Sequence, residues 1–405
     1  MRLSKRNSSF IMLFVIYSVL MLINCILTGS PYSAWHSGRV GAYASSIVFT
    51  FNIAYVLLFS VVIVFMLKGC HTYIRNNAYL LCGICIITGF FNRQIFKYTN
   101  TYMFDVLMIF LISNLALNDV VSAKKQLRNI EFRFISRIII FSLLFGLILT
   151  LLGGGKYGYL PFDFTRSSRG EVTWWVILFL PVLSCIITVI KKMNNEKIVI
   201  LSVLASITFI IVLSTSSRTI ILLYMVVVAM YVFSQKLSAK KLMFIVIGFI
   251  GVLLLWSKIW GFFTLGGSNS VEVVLNGRFG LWKVYWKCFL QNPILGYGPG
   301  VYVDKSIGAS SEIGLLKDIT HYGILFGIVL LIIIVRGIIS SIRIVRNYHR
   351  FSRYDIFIAL INIVSVITFI QQHARIFQFS DYLCWYSIFY MNAVRVSEDV
   401  EKEVG

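Results

Sequence analysis

Two arginines lie in short polar segments that interrupt an otherwise apolar chain. Their chemistry is the easiest to specify. Arg218 lies in the polar segment 214–219, between two apolar runs, and Arg278 follows an Asn-Gly pair. A guanidinium group is a planar fork of donors that fits pairs of phosphate oxygens. The two arginines therefore predict a clamp for a pyrophosphate group. The alternatives are that Arg218 reaches toward lipid headgroups and that Arg278 has a structural role.

A carboxylate ahead of the tenth predicted span is the first candidate for a general base. Glu312 lies in the segment 310–316 and can accept a proton from a hydroxyl group if it lies near the phosphate clamp. An ion pair between Glu312 and an outer arginine is the alternative. His321, at the mouth of the same span, is a second candidate. Further candidates for ligand binding are Arg166, Arg169, Trp282, Gly296, Tyr297, Gly298 and Arg375.

Three other patterns do not support metal, redox or nucleotide chemistry. Cys82 and Cys85 have CxxC spacing but lie in an apolar run, which favours small core residues over a reactive pair. The glycines at 296, 298 and 300 lack the strand and helix of a dinucleotide-binding unit, so they predict a rigid turn with close backbone approach. The histidines have no metal-ligand spacing. We therefore expect neither a metal nor a cofactor.

The composition predicts a membrane protein built from helices. Of the 405 residues, 58% are hydrophobic and 13% are charged, whereas about a quarter are charged in soluble domains. Crossing a bilayer takes about twenty apolar helical residues, and such runs recur along the chain. We predict a polytopic all-α transmembrane bundle with about 12 spans. The spans are 8–27, 44–67, 77–92, 102–118, 134–152, 172–190, 198–213, 219–233, 242–256, 320–335, 355–370 and 380–394.

The distribution of Lys and Arg predicts the orientation of these spans. Basic residues are dense in alternate loops, at 2–6, 68–75, 124–133, 191–197, 236–241 and 336–353. Dense loops are normally cytoplasmic, so both termini are expected in the cytoplasm. The net charge of +21 is then a property of these loops, and binding of nucleic acid is not predicted. Residues 1–405 form a single integral membrane domain with two long outer loops, 153–171 and 258–319.

The larger outer loop, 258–319, is rich in aromatic residues. Residues 279–290 predict an amphipathic helix with Trp282, Tyr285, Trp286 and Phe289 on one side. Aromatic side chains of this kind prefer the headgroup layer, so we expect the loop to lie along the membrane surface. The proline and glycines after residue 292 are expected to end the helix in a turn.

Four short motifs follow one another along residues 214–335. They are Ser216-Ser217-Arg218-Thr219, Arg278 with Trp282, Asn292-Pro293-Ile294-Leu295-Gly296-Tyr297-Gly298, and Tyr322-Gly323-Ile324-Leu325-Phe326-Gly327. Their order resembles that of the bacterial O-antigen polymerase and O-antigen ligase superfamily, and within it the polysaccharide repeat-unit polymerases. The N-terminal half agrees only in span number and charge pattern.

The resemblance implies a glycosyltransferase of the bacterial cytoplasmic (inner) membrane that uses no metal or cofactor. Its substrates would be oligosaccharides linked to undecaprenyl pyrophosphate, and its product an O-antigen, capsule or exopolysaccharide. The growing glycan would move to the non-reducing-end hydroxyl of a new lipid-linked repeat unit. Arg218 and Arg278 would hold the leaving pyrophosphate, and Glu312 would act as the base. Membrane lipids, a chain-length regulator and a flippase are the implied partners.

Two other functions fit parts of the same pattern. An O-antigen ligase is the nearer alternative, but ligases of the family tend to carry a histidine where this chain has Ser310-Ser311-Glu312. A flippase or transporter for lipid-linked oligosaccharides would also have about twelve spans, with ionisable residues and broken helices near the bilayer midplane. Polar residues of this chain concentrate in the outer loops, which favours chemistry at the membrane surface.

Overall fold

In the computed structural model of the chain, the residues described are 78–91, 106, 109–110, 112–117, 119–120, 226, 278–298, 314–371 and 385–394. They are helical apart from turns at 292–298 and 347–352, and no strand occurs among them. The prediction of an all-α chain is confirmed for this part. The predicted loop 153–171 lies outside the described residues, as do the predicted spans 8–27, 44–67, 134–152, 172–190, 198–213, 242–256 and all of 219–233 except Val226.

Apart from the single helical residue Val226, the described part of the chain contains six helices. Four have complete bounds: α1 is Ala78–Phe91, α3 is Arg278–Gln291, α4 is Gly314–Arg346 and α5 is Arg353–Gln371. Helix α2 comprises the helical residues between 106 and 120, and α6 comprises residues 385–394. Helices therefore occur where the sequence predicts spans at 77–92, 102–118, 320–335, 355–370 and 380–394.

Helix α4 is long and apolar enough to cross a membrane, and no other helix of the described part meets both conditions. A break at Gly323 divides its 33 residues, and the part after the break corresponds to about 35 Å, compared with a hydrocarbon core of about 30 Å. The predicted span 320–335 is too short at both ends, because α4 begins within the predicted outer loop and includes Arg336. Arginine is a good helix former whose long side chain can reach out of an apolar layer, so one such charge does not end a helix.

The exposed face of α4 is apolar, whereas small residues recur on its buried face. Glycine or serine occupies six buried positions: Gly314, Gly323, Gly327, Gly337, Ser340 and Ser341. The exposed large side chains form a stripe made of Ile324, Leu325, Ile328, Leu331, Ile332, Val335, Ile339 and Ile342. Small residues let helices approach closely where lipid surrounds them. This pattern is typical of a helix that faces lipid on one side and other helices on the opposite side.

Helices α5 and α6 lie in the interior. Residues 354–366 of α5 and all of α6 are buried, and an apolar helix covered on every side belongs inside a bundle. Asn362 of α5 donates from Nδ2 to Ser341 Oγ of α4 at 2.9 Å. A Cβ atom on Gly337 would approach the same Nδ2 to 3.3 Å, so glycine at this position permits the close contact between α4 and α5.

Helices α1 and α2 form an antiparallel pair. The Tyr79 ring stacks on Phe110 with a centroid distance of 5.5 Å, and its hydroxyl donates to Asn114 Oδ1 at 2.7 Å. Further along α1, Cys82 Sγ lies 3.5 Å from the carbonyl oxygen of Val106, nearer the beginning of α2. Helix α1 also packs on α4. Cys82 and Cys85 are buried as free thiols, which agrees with the prediction that they are core residues.

A buried hydrogen-bond network joins α2, α5 and α6. The Tyr386 hydroxyl of α6 donates to Asp119 Oδ2 of α2 at 2.6 Å, and it lies 3.3 Å from the Tyr354 hydroxyl of α5. All three side chains are buried. Because a buried carboxylate is costly without donors, these bonds fix how the three helices meet.

A second set of bonds surrounds the carboxylate of Asp355 at the start of α5. Ser352 is positioned as the N-cap, since its hydroxyl accepts from Asp355 N at 3.1 Å and lies 2.6 Å from Asp355 Oδ2. The Tyr390 hydroxyl of α6 donates to Asp355 Oδ1 at 2.8 Å. The cap of α5 is therefore tied directly to α6.

We expect Tyr390→Phe to lower the free energy of unfolding by about 1–3 kcal/mol, because it leaves the buried carboxylate of Asp355 with one donor fewer. The measurement is thermal unfolding of the purified protein in detergent. Tyr348→Phe is the matched control, since Tyr348 is half-buried and lies outside the network. Equal midpoints for the two variants would contradict the role assigned to Tyr390.

Candidate functional site

Helix α3 packs one side against the first part of α4. Tyr285 and Phe289 of α3 are buried, and Thr320 Oγ1 of α4 lies 3.5 Å from the Tyr285 carbonyl oxygen. The predicted helix over 279–290 is confirmed. Of the four aromatic residues predicted on one side, Trp286 lies at the edge and is 52% exposed.

The beginning of α3 is electropositive. Arg278 is its first residue, and no acidic residue occurs in the first turn. The free N–H groups and the partial positive charge of a helix N-terminus favour anions. The backbone and the arginine therefore contribute potential of the same sign at this end of α3.

Residues 292–298 form a closed turn directly after α3. Gly296 N donates to Asn292 O at 3.0 Å, and Asn292 Nδ2 donates back to Gly296 O. The Tyr297 hydroxyl donates to Gln291 Oε1 at 2.6 Å, which joins the turn to the end of the helix. The prediction that the proline and the glycines end the helix is confirmed.

The turn is hydrogen-bonded to a break in α4. At Gly323 the backbone has φ 83° and ψ 177°, which interrupts the helix. Two carbonyl groups just ahead of the break accept hydrogen bonds from the turn. Tyr297 N donates to Thr320 O, and Gly298 N donates to His321 O, both at 2.8 Å.

A third bond runs in the opposite direction. Ile324 N, just after the break, donates to Pro293 O at 2.8 Å. The backbone groups released by the break are thus paired by the backbone of the turn, as buried peptide groups require. The 292–298 turn and the broken part of α4 therefore form one structural unit.

Glycine is required on both sides of this unit. Gly296 and Gly298 have φ values of 67° and 85°, in the region that L side chains rarely adopt. A Cβ atom on Gly296 would overlap the carbonyl of His321, and one on Gly323 would overlap the carbonyl of Ile294. The predicted close backbone approach is confirmed, and its partner is α4.

Three candidate side chains lie near this unit in different environments. Trp282 is half-buried, and its enclosed Nε1 has no hydrogen-bond partner among the residues that the structure describes. Tyr297 is half-buried, with its hydroxyl bonded within the turn. His321 is 6% exposed and stands edge-on to Tyr322. A buried imidazole is less accessible to an incoming hydroxyl group than a surface side chain.

Five candidates lie outside the described residues: Arg166, Arg169, Arg218, Glu312 and Arg375. Arg278 is the first residue of α3. The site brings together two of the four motifs, namely the 292–298 turn and the entry to α4, whereas Arg278 lies at the opposite end of α3, about 20 Å from the turn. The two-arginine clamp and the choice of base stay predictions.

Sequence reasoning did not consider Lys317 and Thr320, two polar residues that precede the break. Lys317 and Thr320 are buried, and Asp318 beside them is half-buried. The available signal was the Lys-Asp pair directly ahead of an apolar run. Cys288 of α3 was also not considered; partial burial raises the pKa of its thiol, which makes it a poorer nucleophile.

No protein-family model and no curated protein matches this chain. The interpretation of the site therefore depends on its own residues and geometry.

Proposed function

We propose that this chain is a membrane glycosyltransferase that polymerises lipid-linked oligosaccharide repeat units at the outer face of the bacterial cytoplasmic membrane. It would transfer the growing glycan from undecaprenyl pyrophosphate to a hydroxyl group of a new lipid-linked repeat unit. The product would be an O-antigen, a capsule or an exopolysaccharide. The reaction would use no metal.

The observation that supports this proposal is the docking of the 292–298 turn on the break in α4. It holds the end of α3, the glycine-rich turn and the entry of an apolar helix in one rigid unit, from which α3 extends about 20 Å to its electropositive start at Arg278. A lipid-linked substrate needs these neighbours, because its diphosphate lies in the headgroup layer while its chain lies in the hydrocarbon. Rigid positioning is also what a charge-stabilising site requires.

The proposed chemistry is a displacement at the anomeric carbon of the growing glycan. The bond from that carbon to the pyrophosphate oxygen breaks, and a bond to the acceptor oxygen forms. Arg218 and Arg278 would stabilise the negative charge that the leaving pyrophosphate gains. Glu312 would take the proton of the acceptor hydroxyl.

The polar network supports the proposal that two of the predicted cytoplasmic loops lie on the same membrane surface. Asp119 follows the predicted span 102–118, and Tyr354 precedes the predicted span 355–370, so both are predicted at the cytoplasmic surface. Both lie within hydrogen-bond reach of Tyr386. Two points on the same membrane surface require an even number of crossings between them. This agrees with the six spans predicted between residues 119 and 354.

The break in α4 also bears on the transporter alternative. Broken helices of transporters expose backbone groups to ions or substrates near the midplane. In α4 the break is close to the beginning of the helix, and backbone groups of the turn bind Thr320, His321 and Ile324. A break that is filled in this way favours a structural role over an ion site. The ligase alternative differs mainly in the acceptor and is separated by experiment.

The test is extension of a purified lipid-linked repeat unit by the purified protein, with products resolved by gel. We expect products of many repeats. In a strain that lacks the gene, we expect single-repeat glycan on its usual acceptor. Lipid-linked polymer that never reaches that acceptor would indicate a ligase instead. Accumulation of lipid-linked repeat unit on the cytoplasmic side would indicate a flippase.

A further inference from the structure

The exposed face of α3 carries a stripe of apolar and basic side chains. Phe279, Lys283, Trp286 and Leu290 follow one another at intervals of four, three and four residues, which places them on one line along the helix. All four are exposed, with Trp286 at 52% and Leu290 at 58%. This line is distinct from the buried side of α3, which packs on α4. We call these four residues, with the adjacent Lys287, the α3 stripe.

The apolar part of the α3 stripe continues into the lipid-facing stripe of α4. Ile294, four residues after Leu290, is 62% exposed. The neighbouring Pro293 carbonyl accepts the hydrogen bond from Ile324 N. Ile324 in turn begins the exposed apolar stripe of α4. A single apolar surface therefore runs from α3, across the turn, onto the helix that is long enough to span a membrane.

The basic residues of the α3 stripe fit the headgroup layer beside that surface. Lys283 Nζ lies 4.5 Å above the Phe279 ring, and Lys287 is exposed one turn further along. Lysine beside tryptophan and leucine is the pattern of a helix lying in a membrane surface. Each lysine close to an anionic leaflet also gains electrostatic energy.

We infer that α3 lies in the outer leaflet with the α3 stripe against anionic phospholipids. The sequence predicted that the aromatic-rich loop lies along the membrane surface, without showing which side of the helix meets it. The structure assigns that side to α4, and the adjacent stripe to lipid. This inference extends the membrane location and does not depend on glycosyl transfer.

The test uses cysteine labelling of the full-length protein in phospholipid nanodiscs that contain phosphatidylglycerol and phosphatidylcholine. The seven native cysteines are first replaced, and unfolding and in vitro extension are checked. A cysteine is then introduced by Leu290→Cys or by Val284→Cys. Both positions are exposed in the protein alone, but they lie about 120° apart around the helix.

We expect a membrane-impermeant maleimide to react at least about tenfold more slowly at position 290 than at position 284, because lipid covers only the α3 stripe. Equal fast rates would overturn the inference. Slow rates at both positions would also overturn it, since they would mean that another part of the chain covers α3.

A separate experiment tests the preference of α3 for anionic lipid. Replacing both lysines, by Lys283→Gln with Lys287→Gln, is expected to lower the preference for spin-labelled phosphatidylglycerol over phosphatidylcholine about tenfold. The double arginine variant keeps both charges and should retain the preference. An unchanged preference in the glutamine variant would overturn the choice of anionic lipid. Loss of extension activity with labelling and lipid preference as expected would count against the proposed function alone.

Discussion

Gly323→Ala is expected to separate the 292–298 turn from α4 and to lower the free energy of unfolding by about 2–6 kcal/mol. The backbone at Gly323 has φ 83°, and an added Cβ would overlap the carbonyl of Ile294. Neither the turn nor α4 can move away without losing the three backbone hydrogen bonds that join them. Two measurements report separation of the turn from α4. The midpoint of thermal unfolding in detergent should fall, and the rate of tryptic cleavage after the exposed Lys287 should rise.

The matched control is Gly280→Ala in α3. A Cβ there meets nothing within 4 Å, and alanine in a helix is more stable than glycine by about 0.5–1 kcal/mol. We therefore expect Gly280→Ala to unfold at the same temperature or slightly higher. If Gly323→Ala behaved like Gly280→Ala, the docked turn would not be part of the native structure.

A double-mutant cycle adds a test of the unit itself. Gly296→Ala should have an effect similar to that of Gly323→Ala, because a Cβ there overlaps the carbonyl of His321. Since either substitution alone undocks the turn, the double variant should be little less stable than each single variant. Additive losses would mean that the two glycines act in separate structures.

The second large effect is expected when either arginine of the proposed pyrophosphate clamp is replaced. Arg278→Ala and Arg218→Ala should each reduce polymerisation by about 10²–10³-fold, the usual effect of removing one donor to a developing negative charge. Arg278→Lys should recover little activity, because an ammonium group cannot pair with two phosphate oxygens at once. The measurement is the rate of extension of a purified lipid-linked repeat unit, at equal amounts of folded protein.

Arg346→Ala is the matched control for the arginine variants. Arg346 is exposed at the last residue of α4, at the opposite end of that helix from the turn. Its loss should leave the extension rate within about twofold, as for most surface substitutions. Normal chain lengths from both the Arg218 and the Arg278 variant would remove these residues from the site.

Helix positions were the most predictable part of the fold. The apolar run around Cys82 predicts a span at 77–92, and α1 is Ala78–Phe91. The proline and glycines after Asn292 also predict the end of α3 correctly. The ends of α4 were predicted less well, because hydropathy responds to Arg336 whereas helix formation does not.

The candidate site was predictable only in part. The glycines at 296 and 298 indicate a tight turn, but they do not indicate what approaches it. Similarly, the aromatic residues of α3 predict an amphipathic helix without showing which side packs on protein. Both answers depend on α4, whose break at Gly323 leaves carbonyl groups for the turn to bind.

The sequence by itself determined that the described part of the chain is helical. It also determined where most of these helices lie and that a turn must follow α3. Hydropathy, helix propensity and glycine conformations are local properties, so they can be derived from neighbouring residues. Only the tertiary structure decided which distant groups meet. The bond from Tyr386 to Asp119 joins residues 267 positions apart, and no local preference specifies that partner. Such pairs are selected by the packing of whole helices, because each buried polar group must find a partner within the bundle.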